Sequence, residues 1–305
     1  MNFIVGKNAQ GKTNLIEAVS FLSFARSFRA NTVQELVRWG EKSCAVFAVV
    51  QRSDSEFEAG ISIDNGSKLV FLNGDKLSSI SEFVGRLLCV SFTPDDLQLV
   101  KGAPAERRRF LDRHISEAYP QFLKALVSYN RALKNKSRLI AGGRISSADI
   151  KPWNSILARN SLEILSRRRA FIAEIEGRLN SIHRKFAAED GALRLVLKSN
   201  LDEAGIKPDL ASLEALFGEF ARREIDGGAC FLGVHRDDVQ IFNDCREART
   251  FGSQGQVRSI TLSLKMAVVE FLESVSGESP VVLLDDLDSE LDQTRREMLF
   301  DMVLS

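Results

Sequence analysis

Gly6-Lys7-Asn8-Ala9-Gln10-Gly11-Lys12-Thr13 is the stretch on which the reading of this chain turns. Its spacing is G-x-x-x-x-G-K-[ST], a loop whose backbone amides can all turn toward phosphate oxygens. Glycines stand at both bends, Lys12 offers an ammonium to the β- and γ-phosphates, and Thr13 offers a hydroxyl to Mg²⁺. The pattern gains meaning from its context. The apolar Phe3-Ile4-Val5 precedes it and an amphipathic stretch, Asn14 to Phe24, follows, which predicts buried strand, phosphate loop and helix.

The second half of such a site stands near the other end of the sequence, in Pro280-Val281-Val282-Leu283-Leu284-Asp285-Asp286. Four apolar residues predict a buried strand. Asp285 leaves its end beside the phosphate loop, where it would hold Mg²⁺ through water. Asp286, one residue on, would orient or deprotonate the attacking water and is the candidate catalytic residue.

Phe251-Gly252-Ser253-Gln254-Gly255-Gln256 precedes an amphipathic helix carrying Ile260, Leu264, Ala267, Val268 and Phe271. A serine hydroxyl and a glycine amide at a helix N-terminus make another anion site, although a plain cap and turn would use the same residues. One nucleotide does not need two phosphate-binding helix ends from distant segments of one head, whereas two facing copies do. The segment resembles the signature loop of ABC ATPases, which meets the γ-phosphate bound by the opposite subunit. An ATP-dependent homodimer is the expectation.

Composition is that of a soluble globular protein, 44% apolar and 27% charged. No apolar run is long enough to span a bilayer, and Met1-Asn2-Phe3-Ile4 lacks a basic n-region and a cleavage site, so a cytoplasmic protein without a membrane partner is expected. Cys44, Cys89, Cys230 and Cys245 are scattered and read as reduced, packed thiols. Charge is balanced at 41 basic and 41 acidic residues but unevenly spread: Lys101 to Lys185 holds 19 Lys and Arg against 7 Asp and Glu, a local charge of +12 in an acidic body. Such a segment suits a polyanion, while solvated helices would give the same count. Two arginine triplets, Arg107, Arg108, Arg109 and Arg167, Arg168, Arg169, are the candidate DNA contacts. Three consecutive helical residues fan over about 200°, so not all six can reach phosphate, and some are expected to pair with Asp112 or Glu163.

Along the chain, strands are predicted at Ala45–Val50, Phe57–Ile63, Lys68–Leu72 and Leu87–Phe92, with a hairpin turn at Asp64-Asn65-Gly66. Helical spacing runs from Ala105 to Ile140, stops at Gly142-Gly143, resumes from Trp153 to about Ala187, and returns at Asp209–Arg223. Two long, basic, antiparallel helices would form a projecting arm. The expected architecture is an α/β, ABC-type P-loop ATPase head from residues 1–103 plus 229–305, with a helical second lobe over 104–228.

The signature Ser-Gln-Gly-Gln-x-Arg (Ser253 to Arg258) resembles that of the RecF family. So do Phe92-Thr-Pro-Asp-Asp-Leu-Gln-Leu-Val-Lys-Gly102, Glu106-Arg-Arg-Arg-Phe-Leu-Asp112, Tyr129-Asn-Arg-Ala-Leu-Lys134, Gly233-Val-His-Arg-Asp-Asp238 and Asp285-Asp-Leu-Asp-Ser-Glu-Leu-Asp292. They stand in family order over nearly the whole chain. The resemblance implies that Gly6, Asn8, Gly11, Lys12, Thr13 and Asn14 hold ATP and Mg²⁺, and that Ser253, Gly255 and Gln256 act across the dimer. Ser289 to Asp292 would form the loop joining the two sites. It further implies binding to gapped DNA or single-strand/double-strand junctions, assistance in loading the recombinase RecA, a part in the SOS response, and RecR- and RecO-like partners. Intact family members are weak, DNA-stimulated ATPases.

Two places stay open on the residues alone. Asp95 and Asp96 could face metal or water, or cap a helix. His235-Arg236-Asp237-Asp238 reads as an internal salt-bridge cluster rather than a catalytic group. The sequence also departs from the RecF pattern, starting at the phosphate-loop strand and stopping soon after Asp292, so a fragment with an exposed sheet edge and impaired hydrolysis is expected. Rival readings are another SMC- or Rad50-type head, whose long coiled coils this insert is too short to supply, and an ATP-binding scaffold whose basic arm binds protein or RNA.

Overall fold

The computed structural model of the chain describes residues 2–7, 10–30, 32–143, 145–187, 190–202, 209–286 and 291–304. Helix α1 (Lys12–Phe24) follows Gly11, whose left-handed φ of 85° turns the loop into the helix without Cβ strain. After a 3₁₀ turn (Val33–Leu36), strands β1 (Ser43–Gln51), β2 (Glu56–Asp64), β3 (Ser67–Leu72) and β4 (Asp75–Lys76) form an antiparallel sheet in sequence order. The β2–β3 hairpin turns through Asn65 and Gly66, both left-handed at φ 45° and 76°, the conformation an Asn-Gly turn favours. Ile61, Ile63 and Val70 of this sheet close over Phe21 and Leu22 of α1 in a small core.

Next come α2 (Ile80–Phe83), β5 (Cys89–Phe92), a 3₁₀ turn (Pro94–Leu97), α3 (Gln98–Lys101), α4 (Pro104–Ala118), α5 (Pro120–Gly142) and α6 (Ser147–Phe186). They are followed by β6 (Leu193–Lys198), α7 (Leu210–Asp226), a 3₁₀ turn (Val234–Arg236), β7 (Asp238–Asn243), β8 (Arg246–Glu247), α8 (Ala248–Phe251), α9 (Gln254–Ser276), β9 (Val281–Leu284) and α10 (Gln293–Leu304). Strands β6, β7 and β8 make an antiparallel sheet, and β5 pairs in parallel with β9 from Cys89↔Val281 to Phe92↔Leu284. That parallel pair brings the distant halves of the sequence together. The main core, from Leu88 to Leu299, then joins β5 to α4, α5, α6, α7 and α9.

Most predicted elements are present, with four differences. Phe3-Ile4-Val5, expected as a buried strand, is neither paired nor covered: Val5 is 92% exposed, and no described strand offers it a ladder. Strand β9 exists but is only half-buried, because its other edge is open among the described residues. The single helix expected from Ala105 to Ile140 is two, since Pro120 has no N–H to donate and forces Tyr119 out of helical geometry (ψ 94°). Helix α6 starts before Pro152, at Ser147, because Ser146 and Asp149 form a capping box. Of the apolar stripe its spacing predicts, Leu157, Ile164, Leu165, Ile172 and Leu179 are buried on a helix that packs against α5, α7 and α9, whereas Ile156 is exposed.

Ionisable side chains also enter the interior. The Lys136 ammonium on α5 and the Glu224 carboxylate on α7 form an ion pair in which both side chains are wholly buried. The other Glu224 oxygen accepts the Phe231 and Leu232 amides at 2.7 and 3.1 Å. Lys136→Met should therefore destabilise the fold by about 3–5 kcal/mol, because it strands a buried carboxylate. Adding Glu224→Gln removes the charge yet keeps an oxygen for the two amides, and should restore most of the loss. Urea unfolding of the wild type, both single variants and the double variant checks this; a double variant no more stable than Lys136→Met would contradict the buried-charge explanation.

Candidate functional site

The helix that follows the phosphate loop meets the tip of β9 where the Thr13 hydroxyl donates to Asp285 Oδ1 at 3.1 Å. Parallel pairing with β5 fixes where that tip lies, and the loop's glycine turn fixes where α1 begins. The Lys12 ammonium folds back onto its own loop, donating to the carbonyls of Gly6 and Lys7 at 2.7 and 2.9 Å. Phosphate oxygens would draw it from these neutral acceptors, since hydrogen bonds to a charged partner are roughly twice as strong. Gly6, Lys7, Gln10, Gly11 and Asn14 are exposed around it; Asn8 and Ala9 lie outside the described residues.

A hydroxyl and a carboxylate side by side fit Mg²⁺, which takes one or two protein oxygens and leaves its remaining positions to water and phosphate. Among the described residues no cluster of three or more His, Cys, Asp or Glu forms a site for another metal. Asp286 follows on the exposed side of Asp285, in a left-handed conformation at φ 48°.

The second predicted anion site has the geometry of a capped helix end. Ser253 Oγ accepts the Gln256 amide at 3.2 Å, and Gln256 Oε1 accepts the Ser253 amide at 3.0 Å, a capping box at the start of α9. Gln256 also donates to Asp190 at 3.0 Å, and Ser253 is exposed. Gly255 is partly buried, with Arg295 Nη2 3.6 Å from where a Cβ would stand. Among the described residues no hydrogen bond joins this loop to the phosphate loop. Of the connecting segment Ser289 to Asp292, Ser289 and Glu290 lie outside the described residues.

At the end of β5, Asp96 accepts the Thr93 amide at 2.6 Å as a cap and pairs with the buried ammonium of Lys265, which also donates to the Ser91 carbonyl. Burial lowers the pKa of Lys265, and Asp96 opposes that shift. The expected internal cluster at His235-Arg236-Asp237-Asp238 is present. Arg107 holds Asp238 at 2.8 and 3.0 Å, Arg168 reaches Asp237 at 2.6 Å, and the His235 ring meets the Tyr129 hydroxyl at 2.7 Å.

These pairs correct the list of candidate DNA contacts. Arg107 and Arg168 are 3% and 2% exposed and cannot reach a phosphate without leaving Asp238, Asp112 and Asp237. Arg108 is half-buried against the Asp237 carbonyl. Arg109, Arg167 and Arg169 are accessible but pair with Glu106, Glu163 and Asp202, pairs weak enough at the surface to exchange. Lys136, Lys265 and Arg113 escaped the sequence reading. Lys136 at least left a signal, lying on the apolar stripe Tyr129, Ala132, Ile140 of α5.

Lys12→Ala should weaken binding of a fluorescent ATP analogue by roughly 10- to 100-fold, the loss of charge-assisted phosphate bonds. The melting temperature should not move, because Lys12 bonds only to exposed loop carbonyls. Unchanged nucleotide affinity would rule out this loop as the site.

With the geometry in place, the chain can be set beside known proteins. Residues 1–305 match the RecF/RecN/SMC N terminal domain family. The DNA replication and repair protein RecF of Myxococcus xanthus (strain DK1622) is 37% identical over 301 residues, covering 97% of this chain and 79% of its own length. The solved structure of the recombination mediator protein RecF-ATP in the RecFOR pathway has a TM-score of 0.87 at 30% identity, covering 99% of this chain and 84% of its own. A Smc head domain derived from Pyrococcus furiosus shares the fold, with a TM-score of 0.51 at 18% identity. The chain thus belongs to the RecF/RecN/SMC N-terminal domain family, among its RecF DNA replication and repair proteins.

Proposed function

We propose that this chain is an ATP-controlled DNA clamp of recombinational repair and replication. The observation that carries the proposal is the Thr13–Asp285 contact, which closes the phosphate loop onto the carboxylate at the tip of β9. The name of the ATP-bound relative supports the same ligand here. In this reading Gly6 to Asn14 cradle the phosphates of ATP, and Thr13 and Asp285 hold Mg²⁺, which when bound would neutralise phosphate charge. Asp286 accepts a proton from, or orients, the water that attacks the γ-phosphate.

Ser253, Gly255 and Gln256 belong to the partner's nucleotide. A capped helix N-terminus already presents amides to an anion, and the capping hydroxyl can rotate to a phosphate oxygen. Two heads closing on two nucleotides would bring their helical arms around a gapped or single-strand/double-strand DNA, with RecR- and RecO-like partners and RecA loading downstream. Hydrolysis would open the pair.

Ser253→Arg should bind ATP as the wild type does yet remain monomeric, because its charge and bulk would meet the partner's site rather than its own. Sedimentation velocity with and without a slowly hydrolysed ATP analogue measures this. ATP-driven dimerisation of Ser253→Arg at wild-type strength would remove the across-dimer role.

A further inference from the structure

The helical lobe has an excess of positive charge that its internal ion pairs do not absorb. Between the end of α1 and helices α4 and α5 lies a cavity of about 280 Å³ lined by Arg26, Arg108, Arg109, Arg113 and Arg168, with Asp112 as the single carboxylate. Arg168 is neutralised by Asp112 and Asp237, and Arg109 pairs with Glu106. Arg113 reaches Glu117 at 3.3 Å, but that carboxylate also serves His114 and Ser23. Arg108 donates to the Asp237 carbonyl and lies in the field of Asp112, Asp237 and Asp238, whereas Arg26 makes no ion pair among the described residues. Five guanidinium groups thus line one cavity whose wall carries a single carboxylate, and Arg26 meets it with no ion pair among the described residues. The pKa of Arg108 is lowered by burial and then by neighbouring Arg168, a shift that Asp112, Asp237 and Asp238 oppose.

We propose that this cleft is a phosphate-binding site that holds the backbone of a nucleic acid. The planar guanidinium fork matches phosphate oxygens in pairs, and Arg26 is open to an anion placed here. The cleft's shape favours a chain over a lone ion. Beside it lies a second cavity of about 200 Å³ that shares Phe24, Arg26, Arg109 and Arg113 and whose far wall carries Asp95, Asp96 and Glu106. At that junction the Arg113 guanidinium lies 5.6 Å from the centre of the Phe24 ring, an aromatic and guanidinium platform on which a base can stack. Asn130 stands exposed on the α5 wall, able to donate to a sugar or a phosphate.

The position is also suggestive mechanically. Helix α1 begins at Lys12 and Thr13 and ends one residue before Ala25-Arg26, so a single rigid element runs from the nucleotide loop to the cleft. This inference rests on the DNA-binding reading above and deepens it, since it moves the principal contact from the two arginine triplets to a groove shared by α1, α4 and α5.

The test uses the whole chain, a fluorescent gapped duplex and a slowly hydrolysed ATP analogue, with anisotropy followed over a salt series. Arg26→Gln should weaken DNA binding roughly tenfold near 0.1 M salt and flatten the slope of log affinity against log salt by about one unit. Asn130→Asp, which places a carboxylate in the cleft, should weaken binding in the same direction. Both residues are exposed, so melting temperatures should hold. Wild-type DNA binding with unchanged affinity and slope in both variants would overturn the cleft and leave the DNA-binding reading standing. A wild type that binds no DNA would overturn both. A free-nucleotide source is distinguished by titrating ATP into Lys12→Ala: a residual site that Arg26→Gln then abolishes would overturn the nucleic-acid assignment.

Discussion

The Arg168 guanidinium, 2% exposed, is held between Asp112 of α4 and Asp237 at the start of the β7 segment, at 2.8 and 2.6 Å. Similar buried pairs recur: Arg107 with Asp238, Lys136 with Glu224, and Lys265 with Asp96. Each joins elements far apart in sequence. Buried pairs of this kind add little net stability over an apolar core, but losing one partner is costly because the other stays desolvated. They tie α4 and α6 to the 233–238 segment, α5 to α7, and α9 to the turn that follows β5.

The functional geometry follows from that frame. The phosphate loop and β9 come together because β5 and β9 pair in parallel, while the helix end at Ser253 starts α9 and is held by its own capping box. In such a head the phosphate loop and Asp285 lie together, while the capped start of α9 lies on a separate, exposed surface. The surplus charge of the helical lobe is divided in the same manner. Part of it forms the buried pairs, and Arg108, Arg109, Arg113 and Arg168 line the cavity where α1 ends against α4 and α5.

Much of this was legible in the sequence, because local chemistry and global position agreed. Gly11 and the Asn65-Gly66 turn demand left-handed backbone, Ser253 and Gln256 form a cap three residues apart, and α6 announces itself by its apolar period. The failures share a cause: the deciding partner lay elsewhere in the fold. Phe3-Ile4-Val5 looks like a strand, but a strand needs a neighbouring ladder. Pro120 was passed over because apolar spacing continues across it. The expected pairing with Asp112 and Glu163 is present at Arg168 and Arg167, but the burial of two candidate DNA contacts is visible only in the stripes, where Arg168 falls with Leu165 and Ile172 and Arg107 lies one turn before Leu111. A cation at a core position of an amphipathic helix is a signal for a buried pair, provided the search extends to carboxylates on other helices.

The central claim is that two copies close on ATP, each completing the other's site. It is tested most directly by cross-linking chains that carry Asn14→Cys alone with chains that carry Ser253→Cys alone, both residues being exposed. The exposed native thiol is first removed by Cys245→Ser. With a short bifunctional maleimide, the account predicts a covalent dimer containing one chain of each kind that forms with a slowly hydrolysed ATP analogue and not without it. Failure of the two chains to cross-link, although both bind the nucleotide, would contradict it.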